Sequence, residues 1–317
     1  MRVWSLHLTL ILALGLALAV LPPYPATMLA RILVLAVFAM GYNLAFGYTG
    51  LLSLGHALFL ASGVFAAGLS AQFWELSAGP ALLLGLLAGG AMAAAVGLLA
   101  LRTAGVSFMI VTLMFAQAGY LTVLYFGTIT GGDEGFTLPA ASRVILGFDL
   151  STDAPRFAAA LLLFTLALLA SLALVRSAFG RSMVAMRENE ERSRMLGLNP
   201  FAVKLTALVI SGLYAGAAGA AYALLFGYAG ANFATIQYSI LPMLYVLLGG
   251  AGTTIGPFLG ALFMFLLIEG TARMARLWPV LEGMDYFVIG AELVVLVLFA
   301  PRGILGTLRE RGLKWLP

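Results

Sequence analysis

The amino-acid sequence predicts an all-α protein that crosses a membrane about ten times, with its helices arranged as two inverted repeats of five. Of the 317 residues, 62% are hydrophobic and only 9% are charged, whereas soluble domains usually contain about 25% charged residues. The apolar runs are continuous and about 20 residues long, as a helix needs to cross a bilayer. A transmembrane barrel would instead show short segments of alternating apolar and polar residues. We therefore predict a single transmembrane domain over residues 1–317.

The first apolar run resembles a secretory signal peptide, but it lacks a small-residue cleavage site and is followed by Pro22. We therefore interpret it as a retained first span. Two halves of five spans each, at about 1–127 and 156–301, are separated by an outer loop at 127–155. The ten predicted spans are 5–21, 27–46, 51–72, 79–101, 103–126, 156–175, 202–226, 235–248, 254–270 and 285–300.

The distribution of basic residues predicts the orientation of these spans. If the N-terminus is inside, most of the 17 Lys and Arg residues fall on the inner face, as the positive-inside rule requires. Both termini and the loop at 177–201 are then cytoplasmic. The outer loop is comparatively acidic, with Asp133 and Glu134 among its residues.

A nine-residue sequence occurs twice, as YNLAFGYTG at residues 42–50 and as YALLFGYAG at residues 222–230, with six identical positions. The first copy would end the second span at the inner face, and the second copy would end the seventh span at the outer face. Opposite orientations of equivalent segments are what an inverted repeat requires. Chance similarity within a restricted set of residue types is the alternative.

Glycine is frequent, with 37 residues in the chain. Two glycine pairs, Gly85–Gly89 and Gly212–Gly216, have the four-residue spacing that lets the backbones of neighbouring helices approach closely. We expect these glycines to serve packing rather than chemistry.

Residues 179–200, with the sequence FGRSMVAMRENEERSRMLGLNP, form the most strongly charged part of the chain, which we call the charged segment. It predicts a short polar helix over about 183–196, ended by Gly197 in a left-handed conformation, after which Asn199-Pro200 blocks continuation. Such a helix could press Glu and Arg side chains into a cleft on a partner protein. The alternative is a solvated loop that merely satisfies the positive-inside rule.

Several polar residues fall at membrane depth, where they are energetically costly and often functional. Half-helix ends at the two repeat copies would expose backbone groups able to hold the carboxylate and ammonium of a zwitterion. For His56 and Gln117, a helix–helix hydrogen bond is the alternative to lining a pathway. Glu292, near the middle of the last span, could be neutral, pair with a polar group or exchange a proton. The candidate pathway residues are Tyr42, Asn43, Tyr48, Ser53, His56, Gln117, Tyr228 and Asn232.

The outer loop contains a glycine-rich turn, TGGDEGF, at residues 130–136. It could hold an anion at an outer mouth, dock a binding protein, or be only a tight turn. Its candidate residues are Thr130, Gly131, Gly132 and Gly135.

The residue inventory excludes several classes of protein. There is no cysteine, so disulfides, a thiolate nucleophile and cysteine metal sites are excluded. The two histidines, His7 and His56, do not form a zinc-binding HExxH pattern, and no Gly-x-Ser-Gly elbow occurs. A phosphate-binding P-loop is absent because neither lysine, Lys204 or Lys314, follows a glycine. We therefore expect no enzyme activity, no metal and no cofactor in this chain.

Five stretches, in the right order, resemble the branched-chain amino acid permease family (LivM type) of bacterial ATP-binding-cassette importers. The charged segment carries FGR, RENE and Leu196-Gly197 of that family. The two alanines of the broader importer signature Glu-Ala-Ala-x3-Gly are missing after Glu191, so the likeness to the broad class is looser. The other four stretches are 42–57, 130–136, 248–260 and 301–304.

The resemblance implies a permease half that imports branched-chain amino acids through a bacterial or archaeal cytoplasmic membrane. It implies a second, LivH-like permease, two ATP-binding subunits that bind and hydrolyse the ATP, and an extracytoplasmic substrate-binding protein, with no nucleic acid. An importer of urea or short amides, a proton-coupled carrier using Glu292 and His56, and a non-transporting scaffold remain alternatives. The implied ATPase-coupling residues are Arg181, Arg187, Glu188, Asn189, Glu190, Glu191 and Gly197.

Overall fold

The computed structural model describes three continuous ranges and four single positions: residues 2–145, 147–277 and 303–311, with 287, 290, 291 and 294. Nine of the ten predicted spans coincide with helices in these ranges. The tenth predicted span falls outside the continuous ranges, and Glu292 lies outside the described residues. The count of ten spans therefore stays a prediction.

The first five spans form helices α1 to α5. The second of them begins at Pro23, four residues earlier than predicted, because proline suits the first turn of a helix. It continues as a π-helix over Leu44–Tyr48. The third begins five residues later than predicted, since residues 51–55 after this π-helix lack helical structure. The helices are α1 (Arg2–Val20), α2 (Pro23–Asn43), α3 (His56–Phe73), α4 (Ala78–Ala100) and α5 (Val106–Tyr125).

The outer loop is more structured than the sequence predicted. It contains a short helix, α6 (Gly127–Thr130), and three two-residue strands, although the sequence analysis expected no strand. Strands β2 and β3 form an antiparallel pair of their own. The strands are β1 (Phe136–Thr137), β2 (Val144–Ile145) and β3 (Phe148–Asp149).

In the second half of the chain, the residues that the structure describes form four further long helices and several short elements. Strand β4 pairs antiparallel with β1 of the outer loop, so residues just after the seventh span are tied to that loop by backbone hydrogen bonds. The elements are α7 (Asp153–Arg176), α8 (Ala178–Glu188), α9 (Glu190–Met195), α10 (Pro200–Phe226), β4 (Tyr228–Ala229), α11 (Gln237–Gly249), α12 (Gly256–Leu277) and α13 (Gly303–Arg311).

Among the described residues, six helices are long and apolar enough to cross a membrane, namely α2 with its π-helical extension, α3, α4, α5, α7 and α10. The apolar parts of α1, α11 and α12 are shorter. The chain is therefore a multi-pass membrane protein. Below, the end of the helix bundle that carries the charged segment is called the inner end, and the end that carries the outer loop is called the outer end.

The helices form a buried centre and a more exposed periphery. Helices α2, α3 and α10 are largely buried, whereas α4 and α7 are about one-third buried and α5 is the least buried of the spans. Helix α10 packs along α3, α4 and α2, α7 packs against α2, and α11 packs against α12. Helix α5 therefore presents most of its length to whatever surrounds this chain.

Glycines bring the central helices into backbone contact, as the two glycine pairs predicted. A Cβ atom on Gly89 would collide with the carbonyl oxygen of Gly212, and one on Gly216 would collide with the carbonyl oxygen of Gly85. Gly63 of α3 lies equally close to Gly216 of α10. The prediction of close helix approach at these pairs is confirmed, and α3, α4 and α10 meet there.

The prediction of one polar helix over 183–196 is wrong, because the charged segment forms two helices. Asn189 has an extended backbone with φ −161°, and its side-chain oxygen accepts a hydrogen bond of 2.8 Å from the Arg192 amide. Asn189 thereby ends α8 and caps the start of α9. Gly197 has φ +86° after the second helix, which is the left-handed conformation predicted for it.

The two repeat copies differ in local structure. The first copy is π-helical and turns at Gly50, which has φ +79°. The second copy ends α10 at Gly227, which has φ +71°, and enters β4. The first copy contacts the charged segment and the second contacts the outer loop. Their relation by a two-fold axis stays a prediction.

Candidate functional site

An arginine connects the charged segment to the inner end of α2. Arg187, at the end of α8, donates a hydrogen bond from Nη1 to the backbone carbonyl of Gly47 in the π-helix. A Cβ atom on Gly50 would lie 3.3 Å from Cγ of Arg187, and one on Gly252 would lie 3.0 Å from its Nη1. Arg187 was predicted to couple this chain to an ATPase, which stays a prediction; its side chain is exposed, and its Nη1 reaches the inner end of α2.

The connection between α11 and α12 is held at the same place. The side-chain amide of Asn43 donates to the carbonyl of Thr253 at 2.8 Å, and its oxygen accepts from the amide of Gly252 at 2.9 Å. His7 of α1 lies with Nε2 2.8 Å from the hydroxyl of Thr254. Asn43, a candidate pathway residue, is therefore hydrogen-bonded into a junction of three inner helix ends.

Most other charged residues of the charged segment are exposed, whereas Met183 and Met186 are buried. Glu190 forms an ion pair with Lys204 at 2.6 Å and lies 3.9 Å from Arg194, while the side chain of Arg181 donates to the Arg176 carbonyl at 3.3 Å. An acidic residue in the first turn of α9 also suits the positive end of the helix dipole. Four other predicted coupling residues are exposed: Glu188, Asn189, Glu191 and Gly197.

Two adjacent apolar side chains in this segment are largely exposed. Met195 is 87% exposed and Leu196 is 75% exposed, beside a cavity of about 510 Å³ whose lining includes Glu190 and Lys204. Exposed apolar side chains of this size are typical of surfaces that another protein covers. The sequence analysis missed them, although two adjacent apolar residues inside so polar a segment were a usable signal.

The predicted pathway residues near the first repeat copy are buried inside this chain. His56 Nε2 lies 2.7 Å from the hydroxyl of Ser211, and its ring lies edge-on to Tyr42 with centroids 4.6 Å apart. Ser53 accepts a hydrogen bond of 3.1 Å from the amide of Gly55. Tyr48 is also buried and packs against the apolar residues of α8. His56 thus forms a hydrogen bond between α3 and α10, which was the predicted alternative to lining a pathway.

The other pathway candidates lie apart from that cluster. Gln117 is exposed at the middle of α5, and Asn232 is exposed in the 3-10 helix (Ala231–Ala234) that packs against α5. Tyr228 donates from its hydroxyl to the carbonyl of Glu134 at 3.1 Å. Gln117 therefore faces outward from this chain at membrane depth, while Tyr228 ties β4 to the outer loop.

The glycine-rich outer turn packs against the second repeat copy. The hydroxyl of Thr130 donates to the carbonyl of Val123 at 2.7 Å and accepts from the amide of Gly132 at 3.2 Å. Gly131, Gly132 and Gly135 all have positive φ, and a Cβ on Gly135 would collide with the Ala229 carbonyl. These contacts are those of a tight turn.

A comparison with protein families decides the identity of the chain. The model of the family described as branched-chain amino acid transport system / permease component matches residues 24–297. The chain belongs to this family. The resemblance seen in the sequence is therefore confirmed, and the family is one of transport permeases rather than of enzymes.

Individual relatives of the permease agree with this assignment. It is 29% identical over 297 residues to the high-affinity branched-chain amino acid transport system permease protein LivM of Salmonella typhimurium, covering 87% of this chain and 68% of that protein. It is 28% identical to the corresponding LivM protein of Escherichia coli, with the same coverage. It is also 29% identical over 149 residues to the autoinducer 2 import system permease protein LsrC of Photorhabdus laumondii, covering 44% of this chain and 43% of that protein. No solved structure matches the chain.

Two arginines at the outer end of the permease were not predicted to have a role. Arg143 donates from Nε to the carbonyl of Leu224 and from Nη2 to that of Leu225, both at 2.7 Å. Arg156 adds a bond of 3.0 Å to the Leu225 carbonyl. These cations satisfy carbonyls at the negative end of α10. Only the three-dimensional structure shows this, because the arginines lie about 70–80 residues from their acceptors.

An aspartate orders the turn that follows β3 in the permease. The hydroxyl and amide of Ser151 both donate to the carboxylate of Asp149, at 2.7 and 2.8 Å. These hydrogen bonds lower the pKa of Asp149 below its ordinary value because they stabilise the ionised form. The turn is therefore built around a charged aspartate at neutral pH.

Within the described residues, no group of three or more His, Asp or Glu side chains is placed to hold a metal ion. The predicted site residues thus fall into three places: an inner junction with an exposed segment beside it, a buried cluster around His56, and an outer turn. Gln117 and Asn232 stand apart at the exposed face of α5.

Proposed function

We propose that the permease is the transmembrane subunit of an ATP-driven importer that carries branched-chain amino acids into the cytoplasm. Family membership and the similarity to two LivM proteins support the substrate class. The observation that carries the importer mechanism is the charged segment, which presents an exposed surface on one side and contacts the membrane-embedded helices on the other. It is placed to pass motion between a partner and the helix bundle.

ATP is bound and hydrolysed by two partner subunits, one of which docks on the charged segment of this permease. The exposed side chains of Met195 and Leu196 supply apolar contact area, and Glu188 and Glu191 supply charge around them. In this proposal the charged segment and both termini lie in the cytoplasm, as the distribution of basic residues predicts. ATP binding closes the partner subunits, and the permease alternates between outward-open and inward-open states.

The solute crosses between this permease and a second, LivH-like permease that packs on the exposed face of α5. Gln117 supports this placement, because an exposed amide at membrane depth is costly against lipid and inexpensive against a partner or a water-filled pathway. Asn232 lies on the neighbouring segment and can supply a second polar group. The solute arrives from an extracytoplasmic binding protein that docks on the outer turn.

A different small polar solute is the second candidate. The match to autoinducer 2 permeases favours this possibility, although it covers 44% of the chain rather than 87%. Urea and short amides belong to the same group of candidates. In the described structure, none of the buried side chains around His56 carries a full charge. These side chains therefore do not favour a zwitterionic amino acid over an uncharged solute.

Reconstitution tests the proposal. The permease is assembled with its sister permease, ATPase subunits and binding protein in liposomes that contain ATP inside, and labelled leucine is added outside. We expect uptake that needs both ATP and the binding protein, and that unlabelled valine or isoleucine inhibits more strongly than urea. Uptake driven by a pH gradient without the ATPase subunits would identify a proton-coupled carrier instead. No uptake of any tested solute with all partners present would support a scaffold.

A further inference from the structure

We propose that Arg187 is a positioning residue that fixes the charged segment to the inner ends of the membrane helices, so that both move as one body during transport. The inference rests on the proposed function, because it assigns the link through which a partner ATPase acts. It specifies the expectation from the sequence, in which Arg187 was one of seven ATPase-coupling residues without an assigned contact.

The guanidinium of Arg187 has a backbone carbonyl as its hydrogen-bond partner. Arg187 is itself an exposed residue of α8, yet its Nη1 donates to the carbonyl of Gly47 in the π-helix. In the part of the chain that the structure describes, no carboxylate lies within ion-pair distance of it. The acceptor belongs to the end of a π-helix, where the carbonyl groups lack intrahelical donors and a cation is favoured.

Two glycines lie close to the Arg187 side chain. Gly50 and Gly252 both have positive φ, +79° and +76°, and a Cβ atom on either would lie only 3.3 or 3.0 Å from the Arg187 side chain. Two separate turns, one after the π-helix and one between α11 and α12, therefore use glycine where the arginine passes. An arginine that made no contact with these turns would not require glycine at either position.

The two turns that contact Arg187 are themselves hydrogen-bonded to other helices. Asn43 joins the π-helix to Gly252 and Thr253 through two hydrogen bonds, and His7 joins Thr254 to α1. Arg187 therefore connects the charged segment to a junction that already unites α1, α2 and the connection between α11 and α12. A displacement of α8 is passed to all of these elements without bending a flexible loop.

The apolar contacts of α8 do not replace this link. Met183 and Met186 pack against Leu44 and Tyr48, but apolar contacts are non-directional and allow sliding. A hydrogen bond from a guanidinium to one carbonyl fixes both position and orientation. Arg187 thus supplies the directional part of the contact between α8 and the bundle.

The first test compares Arg187→Gln with Arg102→Gln, which removes an exposed arginine near the inner end of α4. Both variants are reconstituted with all partner subunits, and ATP hydrolysis, leucine uptake and ATPase binding are measured. We expect Arg187→Gln to bind the ATPases and hydrolyse ATP, while uptake per ATP falls about tenfold, the factor expected for one lost charge-assisted hydrogen bond. Arg102→Gln should behave as wild type.

The second test replaces the hydrogen bond by a covalent bond. A Cβ on Gly50 lies 3.7 Å from Cβ of Arg187, within the range of about 3.5–4.5 Å found in disulfides, and the chain contains no other cysteine. We expect Arg187→Cys alone to uncouple transport, and the double variant Gly50→Cys/Arg187→Cys to regain coupling when oxidised and lose it again on reduction. Gly50→Cys alone is the control for backbone strain.

The outcomes separate this inference from the proposed function. If the wild-type complex shows no ATP-dependent uptake, the proposed function fails whatever Arg187 does. If wild type imports and Arg187→Gln loses ATPase binding, Arg187 is a docking residue and the inference is wrong. It is also wrong if Arg187→Gln couples normally, or if the oxidised double variant forms its disulfide and stays uncoupled.

Discussion

His56 Nε2 lies 2.7 Å from the hydroxyl oxygen of Ser211, so a hydrogen bond joins α3 to α10 in the fully buried centre of the permease. The same ring stands against Tyr42 of α2, with the ring centroids 4.6 Å apart. Three central helices therefore meet at one imidazole. Because both partners of the hydrogen bond are buried, the loss of one leaves the other without its partner.

We expect Ser211→Ala to lower the free energy of unfolding by roughly 1 kcal/mol. Interhelical hydrogen bonds in membrane proteins average about 0.6 kcal/mol and reach about 1.7 kcal/mol, and this one is fully buried. The measurement is a denaturation titration of the purified permease in detergent. Ser62→Ala is the control, because the Ser62 hydroxyl bonds only within its own helix, to the Phe59 carbonyl. Equal stability of the two variants would show that the His56–Ser211 bond contributes nothing.

A methyl group at Gly63 is expected to destabilise the permease strongly. The Cβ of Gly63→Ala would collide with the backbone of Gly216, so α3 and α10 would have to separate. Overpacking of a close contact typically costs about 1–3 kcal/mol. Gly15→Ala in α1 is the control, since no atom lies within 4 Å of its added Cβ. Size-exclusion chromatography after heating should show less folded Gly63→Ala than Gly15→Ala, and the opposite order would contradict the packing.

The sequence predicted the helices well because their signal is local. Continuous apolar runs predicted nine of the observed helices, and the glycine spacings predicted close helix approach, although not that Gly85 and Gly89 would meet Gly212 and Gly216. The break at Asn189 was missed, although asparagine before two glutamates is a capping pattern. The short strands were missed because two-residue strands carry no periodicity.

The partners of the site residues could not be predicted, because they are distant in sequence. Asn43 bonds to residues more than 200 positions away, and Arg187 to a carbonyl 140 positions away. The sequence identified both residues by type and by family resemblance, but assigned Arg187 to a partner protein and Asn43 to a pathway. Every residue has a backbone carbonyl, so the sequence does not indicate which carbonyl a side chain will bind. A polar side chain that binds one can therefore be mistaken for a residue that contacts a partner or a solute.

If the exposed face of α5 lines the pathway, a cysteine at Gln117 should react with a water-soluble thiol reagent in the assembled complex. The natural chain contains no cysteine, so Gln117→Cys supplies the single reactive thiol. Leu87→Cys is the control, because Leu87 is an exposed apolar residue of α4 and is expected to face lipid. Mass spectrometry should find Gln117→Cys labelled and Leu87→Cys unlabelled. Equal labelling of the two sites would remove the argument for a pathway beside α5.

Reversing two charges at the start of α9 is expected to separate ATP hydrolysis from uptake. Glu190→Arg with Glu191→Arg removes the ion pair with Lys204 and places cations at the positive end of a helix dipole. The variant should remain in the membrane and its complex should hydrolyse ATP without moving leucine. Glu75→Arg is the control at the outer end, where Glu75 is exposed. Normal coupled transport by the double variant would refute a docking role for these glutamates.

The apolar tip of the charged segment offers the most direct test of where the ATPase binds. Met195 and Leu196 are 87% and 75% exposed, and burial of such a side chain contributes about 1.5–3 kcal/mol. Ordering and desolvation costs offset part of this burial free energy on binding. We therefore expect Met195→Ser with Leu196→Ser to weaken ATPase binding about 10–100-fold. The measurement is the dissociation constant of the purified permease pair and ATPase subunits in detergent. Phe148→Ser is the matched control, since Phe148 is a 64% exposed apolar residue of the outer loop. Equal affinity of both variants would place the ATPase contact elsewhere on the chain, whereas a loss confined to the Met195 and Leu196 variant would place it at this tip.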